Sequence, residues 1–168
     1  KISFYRGEED DVIKRFLGAA KKYNAKNIAR VTGDNPLTDP DCLLRMYNYH
    51  IEKNSEYTFT DDLPIGTRSE IINVHALKRI HSNLSDPSYS EYMTYMLKRP
   101  DKLKVNEFKI KNQLLKRPEI SLTVDNKRDY KLLNEIYINF ENKIPNLLKI
   151  IKWLDKSPEK RIVIPIQS

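Results

Sequence analysis

Several absences narrow what this chain does. It has one cysteine, Cys42, in 168 residues. That excludes an internal disulfide framework and a cysteine-rich zinc site. Its three histidines, His50, His75 and His81, are scattered and offer no metal-ligand spacing. No apolar run approaches the roughly 18 to 20 residues that span a bilayer, which excludes a transmembrane helix and leaves no membrane partner expected. Residues 1–11 are charged and contain no apolar signal region, so a reducing, cytoplasmic setting is the expectation. No zinc finger, helix-turn-helix signature or RNP-like aromatic run is present, so no nucleic-acid partner is expected. There is also no Ser/His/Asp or Cys/His set of the kind that supports a covalent intermediate.

What is present is the composition of a globular protein, on the polar side. Apolar residues make up 39% and charged residues 32%, too apolar for a disordered tail. The net charge of +7 is uneven. Residues 1–70 carry 11 Lys/Arg against 12 Asp/Glu, whereas residues 71–168 carry 19 against 11. A basic half suits an anionic partner, and it equally suits a solvated lysine-rich surface. The chain opens at Lys1 without a methionine and runs straight into Ile2-Ser3-Phe4-Tyr5, as a segment cut from something longer would.

Periodicity predicts alternating strands and helices. Residues 2–5 read as a short strand. Val12, Phe16, Ala19, Ala20 and Tyr23 form a helical stripe over 8–23, with Glu8 to Asp11 in its first turn. Residues 27–32 read as a strand, broken by Gly33-Asp34-Asn35-Pro36. Asp39-Pro40 starts a helix as N-cap and first residue, with Leu43, Met46, Tyr47, His50 and Ile51 on its apolar face. Strands follow at 57–60 and 69–74 around a loop at 61–68, then helices at 75–83 and 89–98. Residues 101–118 are basic and without a clear pattern. Residues 120–124 (ISLTV) are β-rich. Asn126 caps a further helix with Asp129 at its third position, and Tyr130, Leu133, Ile136, Tyr137 and Phe140 form its stripe. A last helix follows Pro145, with Leu147, Leu148, Ile151 and Leu154 on one side, and the tail 161–166 is extended. Such alternation predicts an α/β domain with a mostly parallel sheet, whose ligands sit at the carboxyl ends of strands.

Two aspartates follow predicted strands: Asp34 after 27–32 and Asp125 after 120–124. Facing one crevice, they would suit Mg²⁺, which is commonly held by one or two carboxylates plus phosphate oxygens and water. The same residues also suit plainer roles, Asp34 as a turn aspartate and Asp125 as a helix-start residue.

The wording around these aspartates is specific. RVTGDNPLTDPD (Arg30 to Asp41) resembles the RxTGDxPLxDP motif of sugar-activating cytidylyltransferases, in particular the spore-coat-polysaccharide type related to acylneuraminate and 3-deoxy-manno-octulosonate cytidylyltransferases. YRGEEDDVIKRF (Tyr5 to Phe16) is similar to YRGSEDDVLxRY, LPIGTRSEI (Leu63 to Ile71) to the PxGxxxEV loop, and SLTVDNKRDYKLL (Ser121 to Leu133) to RxTVDTPEDLxLI. The four motifs fall in the family's order over roughly residues 4–140.

The resemblance implies a Rossmann-like nucleotidyltransferase (nucleotide-diphospho-sugar transferase) three-layer fold. Residues 1–140 would be a partial cytidylyltransferase domain, with the helix and tail of 141–168 packed on it. It implies Asp34 and Asp125 as ligands of a catalytic Mg²⁺, and Arg6, Gly7 and Asp11 near the nucleotide. Gly66, Thr67, Arg68 and Glu70 would line the sugar side. Tyr92 stands where the family's REHVT segment has histidine. Arg30 is expected to pair with an internal carboxylate, since buried charges need partners. The implied reaction is attack of a sugar hydroxyl, on a sugar expected to be acidic, at the α-phosphorus of CTP, giving a CMP-sugar and pyrophosphate for polysaccharide or glycan synthesis. Relatives often form homodimers. The family's N-terminal loop of glycine, arginine and lysine, which grips the triphosphate, has no counterpart here, so the fold is expected to be N-terminally incomplete. A non-catalytic nucleotide-sugar-binding or interaction domain is the alternative.

Overall fold

The computed structural model describes residues 2–141, 143 and 145–165, the side chains of Pro87 and Glu91 excepted. Ile166, part of the expected extended tail, lies outside them. The chain divides into two compact units. The first comprises residues 1–30, 46–58 and 70–106, and the second residues 31–45, 59–69 and 107–168.

In the first unit, helix α1 (Val12–Lys22) begins later than its apolar stripe suggests. Asp11 is its N-cap and accepts from the Lys14 amide at 2.8 Å, so Glu8 to Asp10 lie ahead of the helix. The expected strand at 2–5 is absent. Ile2 and Phe4 are 93% and 80% exposed, and a strand needs a hydrogen-bonding neighbour. The Phe4 carbonyl is instead lashed to the end of α1 by the Tyr23 hydroxyl (3.0 Å).

The sheet has four strands, β1 (Asn27–Arg30), β2 (Tyr57–Phe59), β3 (Glu70–Asn73) and β4 (Val105–Glu107), in the order β1-β3-β2-β4. It lies in the first unit apart from Phe59 and Glu107. The sheet is mixed rather than mostly parallel. Both β1 and β2 pair antiparallel with β3, Arg30 opposite Glu70 and Thr58 opposite Ile71. By contrast, β4 runs with β2, as the bonds from the Tyr57 amide to Lys104 O and the Phe108 amide to Phe59 O require. The physical reason is the connection at 61–68. It contains no crossover helix, and without one the next strand returns antiparallel. β4 itself falls in the stretch that showed no pattern, because its three residues are all half-buried.

Ile71 and Ile72 are both fully buried although they point to opposite faces of β3, so the central strand is covered on both sides. Covering elements of this unit are α1, the C-terminal part of α2 (Pro40–Glu52), α3 (Val74–Ser82), and the short pair of a 3₁₀ turn (Pro87–Tyr92) and α4 (Met93–Leu97). On α2, the buried side is Cys42, Met46 and His50, while Tyr47 and Ile51 are exposed. Fully buried His50 reaches Thr58 Oγ1 (2.9 Å) and Asn27 Oδ1 (3.3 Å), and the Asn73 amide also donates to Asn27 (3.4 Å). This knot joins α2 to three strands, and no buried side-chain nitrogen or oxygen among the described residues lacks a hydrogen-bond partner.

The second unit holds α5 (Lys127–Asn139), α6 (Leu147–Lys156), and 3₁₀ turns at Gln113–Leu115 and Pro158–Lys160. α5 begins with the expected capping box. It buries Asp129, Leu132 and Ile136; of the predicted stripe, Ile136 is buried, Leu133, Tyr137 and Phe140 are half-buried, and Tyr130 is 62% exposed. α6 buries Leu147, Ile150, Ile151 and Leu154 and packs on the Gln113–Leu115 turn. The ISLTV run is paired on both sides but too briefly to count as a strand, bridging Ile65 in parallel and Val163 antiparallel.

Burial holds the His50 pKa below its ordinary value, so the folded unit keeps a neutral imidazole that the unfolded chain would protonate. Unfolding then takes up a proton, and the stability owed to neutral His50 is full above about pH 6.5 and lost as pH falls below it. Urea midpoints measured between pH 7.5 and 5 should fall more steeply for the wild type than for His50→Gln. Parallel profiles would contradict this.

Candidate functional site

The site is built in the second unit from three loops. In the first, the Asn35 side chain donates to Thr32 Oγ1 (2.7 Å) and the Thr38 hydroxyl to Asn35 O (2.9 Å), fixing the turn that displays Asp34. The Cys42 amide donates to Asp39 Oδ1 (2.8 Å), so Asp39 caps α2 as expected and ends the loop.

The second is the extended segment 120–125. The Val124 amide donates to Asp34 O at 2.9 Å, and the Thr123 hydroxyl reaches the same oxygen at 3.3 Å. The TGD and TVD motifs are therefore neighbours in space. Asp34 and Asp125 are both exposed, and among the described residues neither carboxylate has a hydrogen bond or ion pair. Exposed acidic groups on adjoining loops, without a cationic partner, are chemically suited to a hard cation. No group of three or more His, Cys, Asp or Glu that could hold a metal exists among the described residues. Two carboxylates alone would suit a divalent ion whose other positions are filled by phosphate oxygens and water.

The third loop is Leu63 to Thr67. Ile65 N donates to Ile120 O (2.9 Å) and Leu122 N to Ile65 O (2.7 Å), which seats this loop on the Asp125 segment. Gly66 has φ +84°, and a Cβ there would lie 2.2 Å from Thr123 N and 2.3 Å from the Leu122 carbonyl carbon. Buried Thr67 closes the turn through its hydroxyl on Pro64 O (2.9 Å). Arg68 is largely engaged within the unit, Nε with Leu63 O (2.7 Å) and Nη1 with Asp61 (3.2 Å). Asp62 anchors the far side, accepting from the Ile110 amide (2.8 Å).

The other expected site residues lie in the first unit. Glu70 is held by Arg30 (2.7 Å), Thr94 (2.9 Å) and the Tyr57 hydroxyl, so the expected internal partner of Arg30 is Glu70. Asp11 is buried. Burial raises its pKa, but the hydrogen bonds from His81 (2.7 Å) and the Lys14 amide outweigh this and hold the carboxyl below its ordinary value. His81, on α3, is thus a partner of Asp11. Arg6 and Gly7 line an open cleft of about 1040 Å³ beside α1, with Lys21, Lys26 and Lys78 also on its walls. Tyr92 is 58% exposed, at the junction of the 3₁₀ turn and α4.

One residue with a place at the site was read only as a helix cap. Asp129 is buried, and its Oδ2 accepts the amides of Asp125 (2.9 Å) and Asn126 (3.1 Å). The capping-box spacing was the available signal. The bond to Asp125, one residue further back, requires the folded turn.

Gly66→Ala should lower the urea unfolding free energy by about 2 kcal/mol or more, because the new Cβ meets backbone in a left-handed conformation. An unchanged midpoint would show that this loop is not seated as described.

The sequence model of the family described as Cytidylyltransferase matches residues 1–163. An uncharacterised protein of Methanocaldococcus jannaschii is 33% identical over 159 residues, covering 94% of this chain and 65% of that protein. The spore coat polysaccharide biosynthesis protein SpsF of Bacillus subtilis is 28% identical over 157 residues, covering 92% of this chain and 65% of its own length. The chain therefore spans about two thirds of these relatives. A solved cytidylyltransferase structure from Leptospira borgpetersenii superposes with a TM-score of 0.84 at 27% identity, covering 98% of this chain and 70% of the other.

Proposed function

The chain belongs to the cytidylyltransferase family, with the α/β nucleotidyltransferase fold of its solved relative, and from that premise we propose that the complete protein transfers CMP from CTP to a sugar. The observation that carries this reading is the 2.9 Å bond from Val124 N to Asp34 O, which joins the two loops that carry these exposed, unpaired aspartates. In the proposed reaction a sugar hydroxyl attacks the α-phosphorus of CTP. A new P–O bond forms, the bond to the β-phosphate oxygen breaks, pyrophosphate leaves, and the hydroxyl proton passes to solvent.

Asp34 and Asp125 would hold Mg²⁺ through their carboxylates. Bound there, the ion would neutralise charge on the phosphates and align them for in-line displacement. The chain's own contribution is orientation. The Asn35 and Thr38 bonds fix the Asp34 turn, and the Gly66 loop braces the segment that carries Asp125. We favour an acidic sugar as acceptor, because the surplus of positive charge lies in residues 71–168, with 19 Lys/Arg against 11 Asp/Glu. SpsF is described as a spore coat polysaccharide biosynthesis protein, which supports surface-polysaccharide synthesis as the setting.

Asp34→Asn and Asp125→Asn, each made in the complete protein, should lower pyrophosphate release from CTP and an acidic sugar by about a hundredfold or more. Both side chains are exposed and unpaired, so the unfolding free energy should move by less than about 0.5 kcal/mol. Undiminished pyrophosphate release from either variant would remove the metal assignment.

A further inference from the structure

We propose that Asp129 is a positioning residue, which holds Asp125 in the conformation from which its carboxylate takes up a divalent cation beside the Asp34 turn. The inference rests on the two-carboxylate reading above and deepens it.

A helix cap alone does not account for the bonds Asp129 makes. In a capping box, the side chain of the third helical residue returns to the N-cap amide. Here that is the 3.1 Å bond to Asn126 N, answered by Asn126 Oδ1 accepting from the Asp129 amide at 3.3 Å. The same Asp129 oxygen also takes the Asp125 amide, at 2.9 Å, the shorter of its two bonds. Asp125 lies outside α5 and its side chain is exposed, so packing does not hold it. Two consecutive amides are thereby pinned to different anchors, Val124 N to Asp34 O and Asp125 N to the Asp129 carboxylate. The backbone that carries the Asp125 side chain is clamped between them.

Asp129 is only 6% exposed and acts through Asp125 rather than on the ion. Its charge matches its task. An ionised carboxylate accepts amide bonds more strongly than a neutral acceptor, and one oxygen here serves two. Partners behind a metal ligand, which fix its orientation, are commonly worth 10- to 100-fold in metal affinity.

The test is direct binding of Mn²⁺, followed by paramagnetic broadening of amide resonances in the ¹⁵N-labelled chain. In the wild type, Mn²⁺ should broaden the amides of residues 33–35 and 124–126. Asp129→Ala should weaken that binding about tenfold or more, with Asp129→Ser in its place if the alanine variant does not fold. Asp129→Asn keeps an acceptor oxygen and should recover most of the affinity. Asn126→Ala removes the helix cap and leaves the Asp125 bond, so it should lower the melting temperature with little change in Mn²⁺ binding. If Asp34→Asn and Asp125→Asn bind Mn²⁺ as the wild type does, the two-carboxylate reading fails and this inference falls with it. If those two abolish binding while Asp129→Ala or Asp129→Ser binds normally, the positioning role alone is refuted. Equal losses from Asn126→Ala and Asp129→Ala would likewise reduce Asp129 to a helix cap.

Discussion

The backbone carbonyl of Asp34 is the point on which the site depends. It accepts the Val124 amide at 2.9 Å and the Thr123 hydroxyl, 89 positions away in sequence, at 3.3 Å. A main-chain bond is well suited to this. It leaves both aspartate side chains free, and it does not change when the side chains do. The segment that makes it is short and would not hold its course alone. It is braced by Ile65 on one edge and by Ile162 to Ile164 on the other, and Ile120 and Leu122 anchor it in the unit's core.

The same motifs also carry structure. Arg30 opens the RVTGD stretch, yet it faces its cross-strand neighbour Glu70, with side-chain exposures of 22% and 13%. Paired charges this far from water require close geometry and further hydrogen bonds, which Tyr57 and Thr94 supply. In LPIGTRSEI, Gly66 is needed for close approach, Thr67 closes a turn, and Arg68 is bound to its own loop. A motif thus joins residues that display chemistry to residues that hold the display in place.

Much of the fold was legible where local rules act. The caps at Asp39 and Asn126, the helices over 40–52, 74–82 and 147–156, and the strand at 27–30 all follow from short-range hydrogen bonding and periodicity. The errors have a common source. Residues 2–5 have strand composition but no partner strand, and β4 has a partner but no strand pattern. Whether an extended segment becomes a strand is decided by its neighbour, which sequence spacing does not contain. On α5 the predicted stripe is only partly buried, with Ile136 inside and Tyr130 exposed, while the charged Asp129 is buried with its carboxylate on the amides of Asp125 and Asn126.

The sequence by itself singled out Asp34 and Asp125, because they sit in the motifs that carry the family resemblance. It also determined where α2 and α5 begin, because the caps at Asp39 and Asn126 act within four residues. Tertiary structure alone decided that the sheet is mixed, that His81 meets Asp11 across seventy residues, and that the two aspartate loops touch. The physical reason is the same each time. Local bonds choose among conformations of one segment, whereas pairing between distant segments is chosen by which arrangement buries the core and leaves no amide or charge unpartnered.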